Sequence, residues 1–179
     1  MDELLFKKLY KSCLRFLGIR MRSEKEIRTK LQEWIKQEQR HLGDASEVNW
    51  LVIEDRVVAQ LKRESFLNDR NFAREWISSR LRSKPRGKVL IAMELLQKGI
   101  DKELIDEMFE EIIADENASS EQSEGVLFRS ALKLGEKNLR KYEHLEIKEA
   151  RYKLSMSLGR KGFELPLIKR VVDELLSRR

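Results

Sequence analysis

The residue types that most often perform catalysis or bind metals are scarce in this chain and far apart. His41 and His144 each lack a second histidine or a cysteine at the spacing of metal ligands, so we predict that both lie on the surface. Cys13 lies on an apolar helical stripe, which favours a buried, unreactive thiol over a nucleophile. We therefore predict no catalytic residue, no metal site and no cofactor.

One short segment has the basic character of a phosphate-binding loop. Residues 85–88 (Pro-Arg-Gly-Lys) lack the Gly-x4-Gly-Lys-Ser/Thr spacing of such loops and no strand precedes them, so we interpret them as a basic helix start. Pro85 interrupts any continuous helix here, and the bases are predicted to gather at a helix–helix corner. The exposed N–H groups of the next helix would favour anions at that corner. Five bases alternate through the segment: Arg80, Arg82, Lys84, Arg86 and Lys88.

Three tryptophans offer a second kind of nucleic-acid contact. Trp34, Trp50 and Trp76 could each stack on a base. Each also lies on an apolar stripe at helical spacing, which is the pattern of a core residue. We favour core packing for all three, with stacking as the alternative.

The elements that must position these residues are repeated helices. The stops Lys98-Gly99-Ile100 and Lys161-Gly162-Phe163 stand 63 positions apart, and six apolar positions after each stop match at that offset. A glycine at such a place typically ends a helix in the left-handed conformation. The repeat predicts tandem copies of one helical unit, an arrangement that usually presents a surface rather than a pocket.

Helix-start signals divide the chain into nine predicted helices. Ser23 and Glu26 form a capping box, Asp69 is a plausible cap, and Pro85 and Pro166 lie near first-turn positions. We predict three three-helix units, at residues 1–66, 67–114 and 125–179. The polar, acidic stretch 115–124 is predicted to be a linker between the second and third units.

Composition agrees with an all-α fold. The 179 residues are 41% hydrophobic and 38% charged, with two prolines, eight glycines and no apolar run long enough to span a membrane. A single cysteine excludes an intrachain disulfide, and the mixed charges of residues 1–18 do not resemble a signal peptide. We therefore predict a cytoplasmic protein without a membrane partner.

Charge alternates along the chain. Residues 80–100 contain six bases and one acid, whereas residues 101–124 contain one base and ten acids. Basic faces beside an acidic one indicate a charged partner, such as a nucleic acid or a nucleoprotein. The alternative is that these are ordinary solvated helix faces.

Three blocks within residues 20–105 combine particular residue types at fixed spacings. They are Arg22-Ser23-x-x-Glu26-Ile27-x3-Leu31, Phe66-Leu67-Asn68-Asp69-x-x-Phe72-Ala73, and Arg80-x-x-Ser83-x-Pro85-x-Gly87-x3-Ile91-x-x-Glu94-Leu95-x-x-Lys98-Gly99-Ile100-x4-Ile105. Together they resemble the RecX family of bacterial recombinase regulators. One departure is Ser65, which stands where a glycine usually precedes the aromatic residue.

The resemblance implies a curved, elongated array of three tandem three-helix units that acts as a monomer and has no enzymatic activity. It implies binding to the RecA recombinase filament and modulation, mostly inhibition, of its recombinase, ATPase and co-protease activities. Weak contact with single- or double-stranded DNA is compatible with that role. The alternatives are a sequence-nonspecific DNA-binding helical protein and a helical scaffold for another protein. The candidate contact residues are Arg20, Arg22, Arg80, Arg82, Lys84, Arg86, Lys88, Lys98, Arg151 and Lys161.

Overall fold

The fold is entirely helical over the part of the chain that the structure describes. This structure, a computed structural model, describes residues 2–42, 48–119 and 125–178, with the backbone alone for residues 116–119. Over these residues it has nine α-helices, one short 3-10 helix (Arg140–Tyr142) and no strand, which confirms the all-α prediction. The α-helices are α1 (Asp2–Ile19), α2 (Glu24–Leu42), α3 (Trp50–Arg63), α4 (Asp69–Ser83), α5 (Lys88–Gln97), α6 (Lys102–Ser119), α7 (Val126–Leu139), α8 (Ile147–Gly159) and α9 (Leu165–Ser177).

Two predicted helix starts are confirmed and a third is wrong. The Ser23 hydroxyl accepts from the amide of Glu26, and the Glu26 carboxylate accepts from the amide of Ser23, both at 3.3 Å. Pro166 lies in the first turn of α9. Pro85, however, is not in the first turn of α5, which begins at Lys88. A proline disfavours helical geometry in the residue before it, and the chain stays irregular between α4 and α5.

The start of α4 differs from the prediction by one residue. The side chain of Asn68, and not that of Asp69, caps the helix by accepting from the amide of Asn71 at 3.0 Å. Asp69 accepts instead from the amide of Glu24, at 2.8 Å, and so satisfies a free N–H in the first turn of α2. The spacing of residues could not separate these two roles, since the second depends on a contact across 45 positions.

The described residues form two compact units. Unit 1 is Met1–Phe72 with Lys98–Ile100, and its core joins α1, α2 and α3. Cys13 is fully buried there, and burial raises its pKa to about 12, as expected of an unreactive thiol. Trp34 and Trp50 pack against this core, which confirms their predicted role. The fully buried residues of this core include Ile27, Leu31, Val57 and Leu61.

Unit 2 is Ala73–Gln97 with Asp101–Arg179. The two apolar stripes that the repeat predicts, one on α6 and one on α9, both face the interior of this unit. Their buried members are Ile105, Met108, Phe109 and Ile112 on α6, and Ile168, Val171, Val172, Leu175 and Leu176 on α9. The two helices that the sequence repeat pairs therefore bury the same face.

Both glycine stops adopt the left-handed conformation that the sequence predicts. The backbone angle φ is +81° at Gly99 and +79° at Gly162. Among the described residues the one other positive φ is that of Ser65, at +60°. This serine ends α3 in a conformation that a glycine adopts with less strain, so the turn keeps its geometry despite the departure from the family pattern.

Each glycine stop also docks on the start of an earlier helix. In unit 1 the Ser23 hydroxyl, before α2, donates to the carbonyl of Lys98 at 2.7 Å. In unit 2 the amide of Gly87, before α5, donates to the carbonyl of Lys161 at 2.8 Å. Lys98 and Lys161 are equivalent in the repeat, so the same contact occurs twice. We call each of these contacts a glycine-turn junction.

The predicted boundaries between the three-helix units remain predictions. Helix α6 continues through residues 115–119, the first half of the predicted linker, and residues 120–124 lie outside the described ranges. No helix in the described ranges has both the length and the apolar character to cross a bilayer.

Candidate functional site

The basic corner between α4 and α5 is organised around one carboxylate. Glu94 of α5 accepts from Nε of Arg80 at 2.8 Å, and its second oxygen pairs with Arg86. The same carboxylate accepts from the indole N–H of Trp76 at 2.8 Å, while the Arg80 guanidinium lies 4.2 Å from the centre of the Trp76 ring. Trp76 is half-buried, and its ring contacts the guanidinium of Arg80. Core packing, the predicted role of Trp76, is therefore only part of what this side chain does.

The remaining bases of this corner differ in whether an acid neutralises them. Lys88 pairs with Asp106 at 2.9 Å, and this hydrogen bond holds the pKa of Asp106 below its usual value. Arg82 and Lys84 are exposed, and no ion pair of theirs occurs within the described residues. Arg82 and Lys84 are therefore the two bases of this corner that have no acidic partner in the described part of the chain.

The junction in unit 2 brings Lys161 to this corner. Its carbonyl accepts from the amide of Gly87, between Arg86 and Lys88, and its side chain is exposed. The structure thus brings together six of the predicted contact residues. We call this group the basic junction: Arg80, Arg82, Lys84, Arg86, Lys88 and Lys161. Arg151 lies on α8 and pairs with Asp173 of α9.

The other three predicted residues form a second cluster, in unit 1. Glu26 accepts from Arg20 at 2.8 Å and from Lys98 at 3.0 Å, and Arg22 lies 3.9 Å away. Burial favours a higher pKa for Glu26, but the hydrogen bonds from Arg20 and Lys98 outweigh it and lower the pKa. Arg22 stacks on Phe16 at 3.9 Å, and burial together with the charge of Arg20 lowers the Arg22 pKa.

Two carboxylates hold these clusters, and neither was predicted as a site residue. Glu94 is the one acid among the six bases of residues 80–100, and that isolation was the available signal. Glu26 was recognised for its capping role alone. The same side chain caps α2 and also binds bases from residues 20–22 and 98, which local spacing does not reveal.

We expect that replacing Glu26 with glutamine destabilises unit 1 in a pH-dependent way. The folded pKa of Glu26 lies below the ordinary value of 4.5, so its carboxylate adds stability above that pH. This stability is lost as pH falls through the folded pKa. Urea unfolding should show the Glu26→Gln variant less stable than the parent chain at pH 7, with a smaller gap at pH 3.

The matched control for this experiment is Glu33→Gln, on the same helix. Glu33 pairs with Lys30 in an exposed ion pair, which contributes little to stability. The control should follow the parent chain at both pH values. An equal gap at pH 7 and pH 3 for the Glu26 variant would contradict the role assigned to its charge.

Comparison with known protein families identifies the chain. Residues 10–38 match the first three-helix domain of RecX, residues 68–108 the second and residues 127–172 the third. The regulatory protein RecX of Chlorobium phaeobacteroides (strain BS1) is 30% identical over 169 residues, which are 94% of either protein. The chain belongs to the RecX family. The prediction of three tandem three-helix domains is thereby confirmed.

Other RecX proteins differ in length from this family member. The regulatory protein RecX of Bacillus licheniformis is 32% identical over 168 residues, which are 94% of this chain but 55% of that protein. The chain thus spans about half the length of this relative. The crystal structure of RecX from Lactobacillus salivarius has the same fold, with a TM-score of 0.73 at 22% identity, covering 95% of this chain and 96% of that one. The relatives from Chlorobium phaeobacteroides and Bacillus licheniformis are both named regulatory proteins.

Proposed function

We propose that this RecX-family protein binds the RecA recombinase filament and modulates, mostly by inhibition, its recombinase, ATPase and co-protease activities. Family membership supports the regulatory part of this proposal. The single observation that supports the contact is the basic junction, where Arg82, Lys84 and Lys161 are exposed without an acidic partner in the described ranges. A cluster of uncompensated bases favours an anionic or nucleoprotein partner.

Part of this surface is held in place by the fold. Glu94 holds the side chains of Arg80 and Arg86, and the junction holds the backbone of Lys161. A pre-ordered surface loses less side-chain entropy on binding than a mobile one. The exposed bases of the basic junction would then act mainly on the rate of association with the partner and on the salt dependence of that rate.

Charge reversal at the three exposed bases tests this proposal. We expect the variant Arg82→Glu/Lys84→Glu/Lys161→Glu to bind filaments about tenfold more weakly at physiological salt, with a larger loss at low salt. The assay titrates the protein into recombinase filaments on single-stranded DNA and follows ATP turnover. Arg86 and Lys88 are left intact because reversing them would break their ion pairs within unit 2.

A matched control reverses three exposed bases of unit 1 that have no ion pair among the described residues. The variant Lys11→Glu/Arg15→Glu/Lys36→Glu changes the net charge by the same amount. It should inhibit ATP turnover as the parent chain does. Equal loss in both variants would assign the effect to net charge, and unchanged inhibition in the first variant would exclude the basic junction as the contact.

The same exposed bases also favour a second candidate function, direct and sequence-nonspecific binding of DNA. If four to six phosphates were neutralised, the logarithm of the binding constant would fall with the logarithm of salt concentration with a slope of about −4 to −5. Tight binding to naked DNA at physiological salt, without the recombinase, would favour this function over filament regulation.

A further inference from the structure

Helix α5 presents an apolar stripe to solvent on the side away from its core. Val89, Met93 and Leu96 are exposed by 50%, 51% and 47%. Their spacing of four and three residues places them on one narrow face of the helix. Ile91 and Leu95, on the opposite side, are fully buried. Any protein surface contains single exposed apolar residues, but three large apolar side chains in one line form a continuous stripe.

Two of the three positions of this stripe are also apolar and exposed on α8, at the offset of the internal repeat. Tyr152 stands 63 positions after Val89 and Met156 stands 63 positions after Met93, and they are exposed by 65% and 47%. Leu154, on the other side of α8, is fully buried. The second helices of two successive domains therefore expose apolar side chains at equivalent positions.

Uncompensated positive charge lies between the two helices that bear these stripes. The turn after α8 meets the start of α5 through the Gly87–Lys161 hydrogen bond of 2.8 Å. Arg160 and Lys161 in that turn are exposed, as are Arg82 and Lys84, and none of the four has an ion pair within the described part of the chain. One compact unit therefore combines two apolar stripes with an intervening group of free bases.

We propose that the stripe on α5 (Val89, Met93, Leu96) and the stripe on α8 (Tyr152, Met156) together dock on a protein surface. Each would bury its side chains against an apolar patch rimmed by carboxylates, which the bases between the stripes would complement. Because the stripes are two copies of one feature, the partner that fits them shows the same patch twice. The subunits of a homopolymer present such a repeated patch. This inference rests on the proposed function and names the part of the filament that is bound, which is protein.

The chemistry of the stripes separates a protein partner from a nucleic acid. A duplex or single strand presents phosphates, which aliphatic side chains such as Val89 and Leu96 cannot contact favourably. Protein interfaces, in contrast, bury aliphatic, methionine and aromatic side chains at their centre and leave charges at the rim. The stripes would thus supply affinity for the protein subunits, and the bases would supply charge complementarity.

Charge-neutral substitutions test this docking surface. The variants are Met93→Gln/Leu96→Gln on α5, Tyr152→Gln/Met156→Gln on α8, and the combination of all four. We expect each pair to weaken binding to filaments of recombinase on single-stranded DNA by about fivefold, and the combination to weaken it further. Binding to naked single-stranded DNA should stay within about twofold of the parent chain, because no charge changes.

The control is Leu4→Gln/Leu51→Gln, which alters two apolar residues of unit 1 that are exposed by 74% and 67%. Circular dichroism melts verify that all variants fold. Filament binding of the four-residue variant equal to that of the control would overturn the docking surface. A parallel loss on naked DNA would also overturn it and assign the stripes to nucleic acid. A parent chain that binds no filament would instead overturn the proposed function itself, and this inference with it.

Discussion

Replacing Gly87 with alanine is expected to lower the free energy of unfolding of unit 2 by about 3 kcal/mol. A Cβ atom at this position would lie 2.0 Å from the carbonyl oxygen of Gly162. The backbone fixes the position of the Cβ atom, and the groups it meets are backbone groups, so no rotation of a side chain can relieve the clash. Separating them would also lengthen the hydrogen bond between the Gly87 amide and the Lys161 carbonyl, which is 2.8 Å in the intact chain.

Smaller terms modify this expectation but do not reverse it. A lost backbone hydrogen bond costs about 1 kcal/mol. Alanine restricts the unfolded chain more than glycine does, which returns about 0.5–1 kcal/mol to the variant. These two terms nearly cancel, and the steric overlap of the backbones remains as the main cost. Urea unfolding monitored by circular dichroism at 222 nm measures the difference.

Gly18→Ala is the matched control for this substitution. Gly18 lies near the end of α1, and a Cβ atom there would meet nothing within 4 Å. Alanine is the better helix former, so this variant should keep the stability of the parent chain or gain up to about 1 kcal/mol. If Gly87→Ala proved as stable as the control, the unit 2 junction could not have the close packing described above.

Replacing Glu94 with glutamine is expected to cost about 2 kcal/mol of folding free energy. Removing the charge of Glu94 leaves the guanidinium groups of Arg80 and Arg86 beside each other without a counter-charge. The side chains of Glu94 and Arg80 are only 17% and 19% exposed, so water screens the remaining repulsion poorly. A fully buried pair would cost about 3–5 kcal/mol, and the partial exposure reduces that figure.

Two further variants isolate the charge as the cause. Glu75→Gln changes an exposed acid on α4 with no ion pair in the described ranges and should cost less than about 0.5 kcal/mol. Adding Arg86→Gln to Glu94→Gln removes the surplus charge and should restore part of the lost stability. A double variant less stable than Glu94→Gln alone would show that packing, and not electrostatic repulsion, sets the cost.

Periodicity and local capping rules predicted most of the fold. The stripes of α6 and α9, the left-handed glycines and the capping box at Ser23 depend on residues close together in sequence, and all are confirmed. The errors at Pro85 and Asp69 have separate causes. The chain stays irregular around Pro85 until α5 begins at Lys88, whereas the side chain of Asn68, and not that of Asp69, caps α4.

The candidate site was predictable in its residue types but not in its grouping. The basic stretch from Arg80 to Lys88 was visible as a charge cluster, and no local rule could add Lys161 to it. The separation of Arg20, Arg22 and Lys98 into another cluster depends on Glu26, through contacts that span up to 72 positions. Long-range pairs of this kind have no periodic signal, so only the folded chain reveals them.

The glycine-turn junction has a consequence for the divergence of these domains. In both copies the acceptor is a main-chain carbonyl, whereas the donor is a hydroxyl at Ser23 and an amide at Gly87. Substitution of a side chain cannot remove a carbonyl from the backbone. The acceptor of this contact is therefore kept when the residues around it are substituted. Successive domains can therefore lose recognisable sequence similarity to each other over evolutionary time and still form the glycine-turn junction.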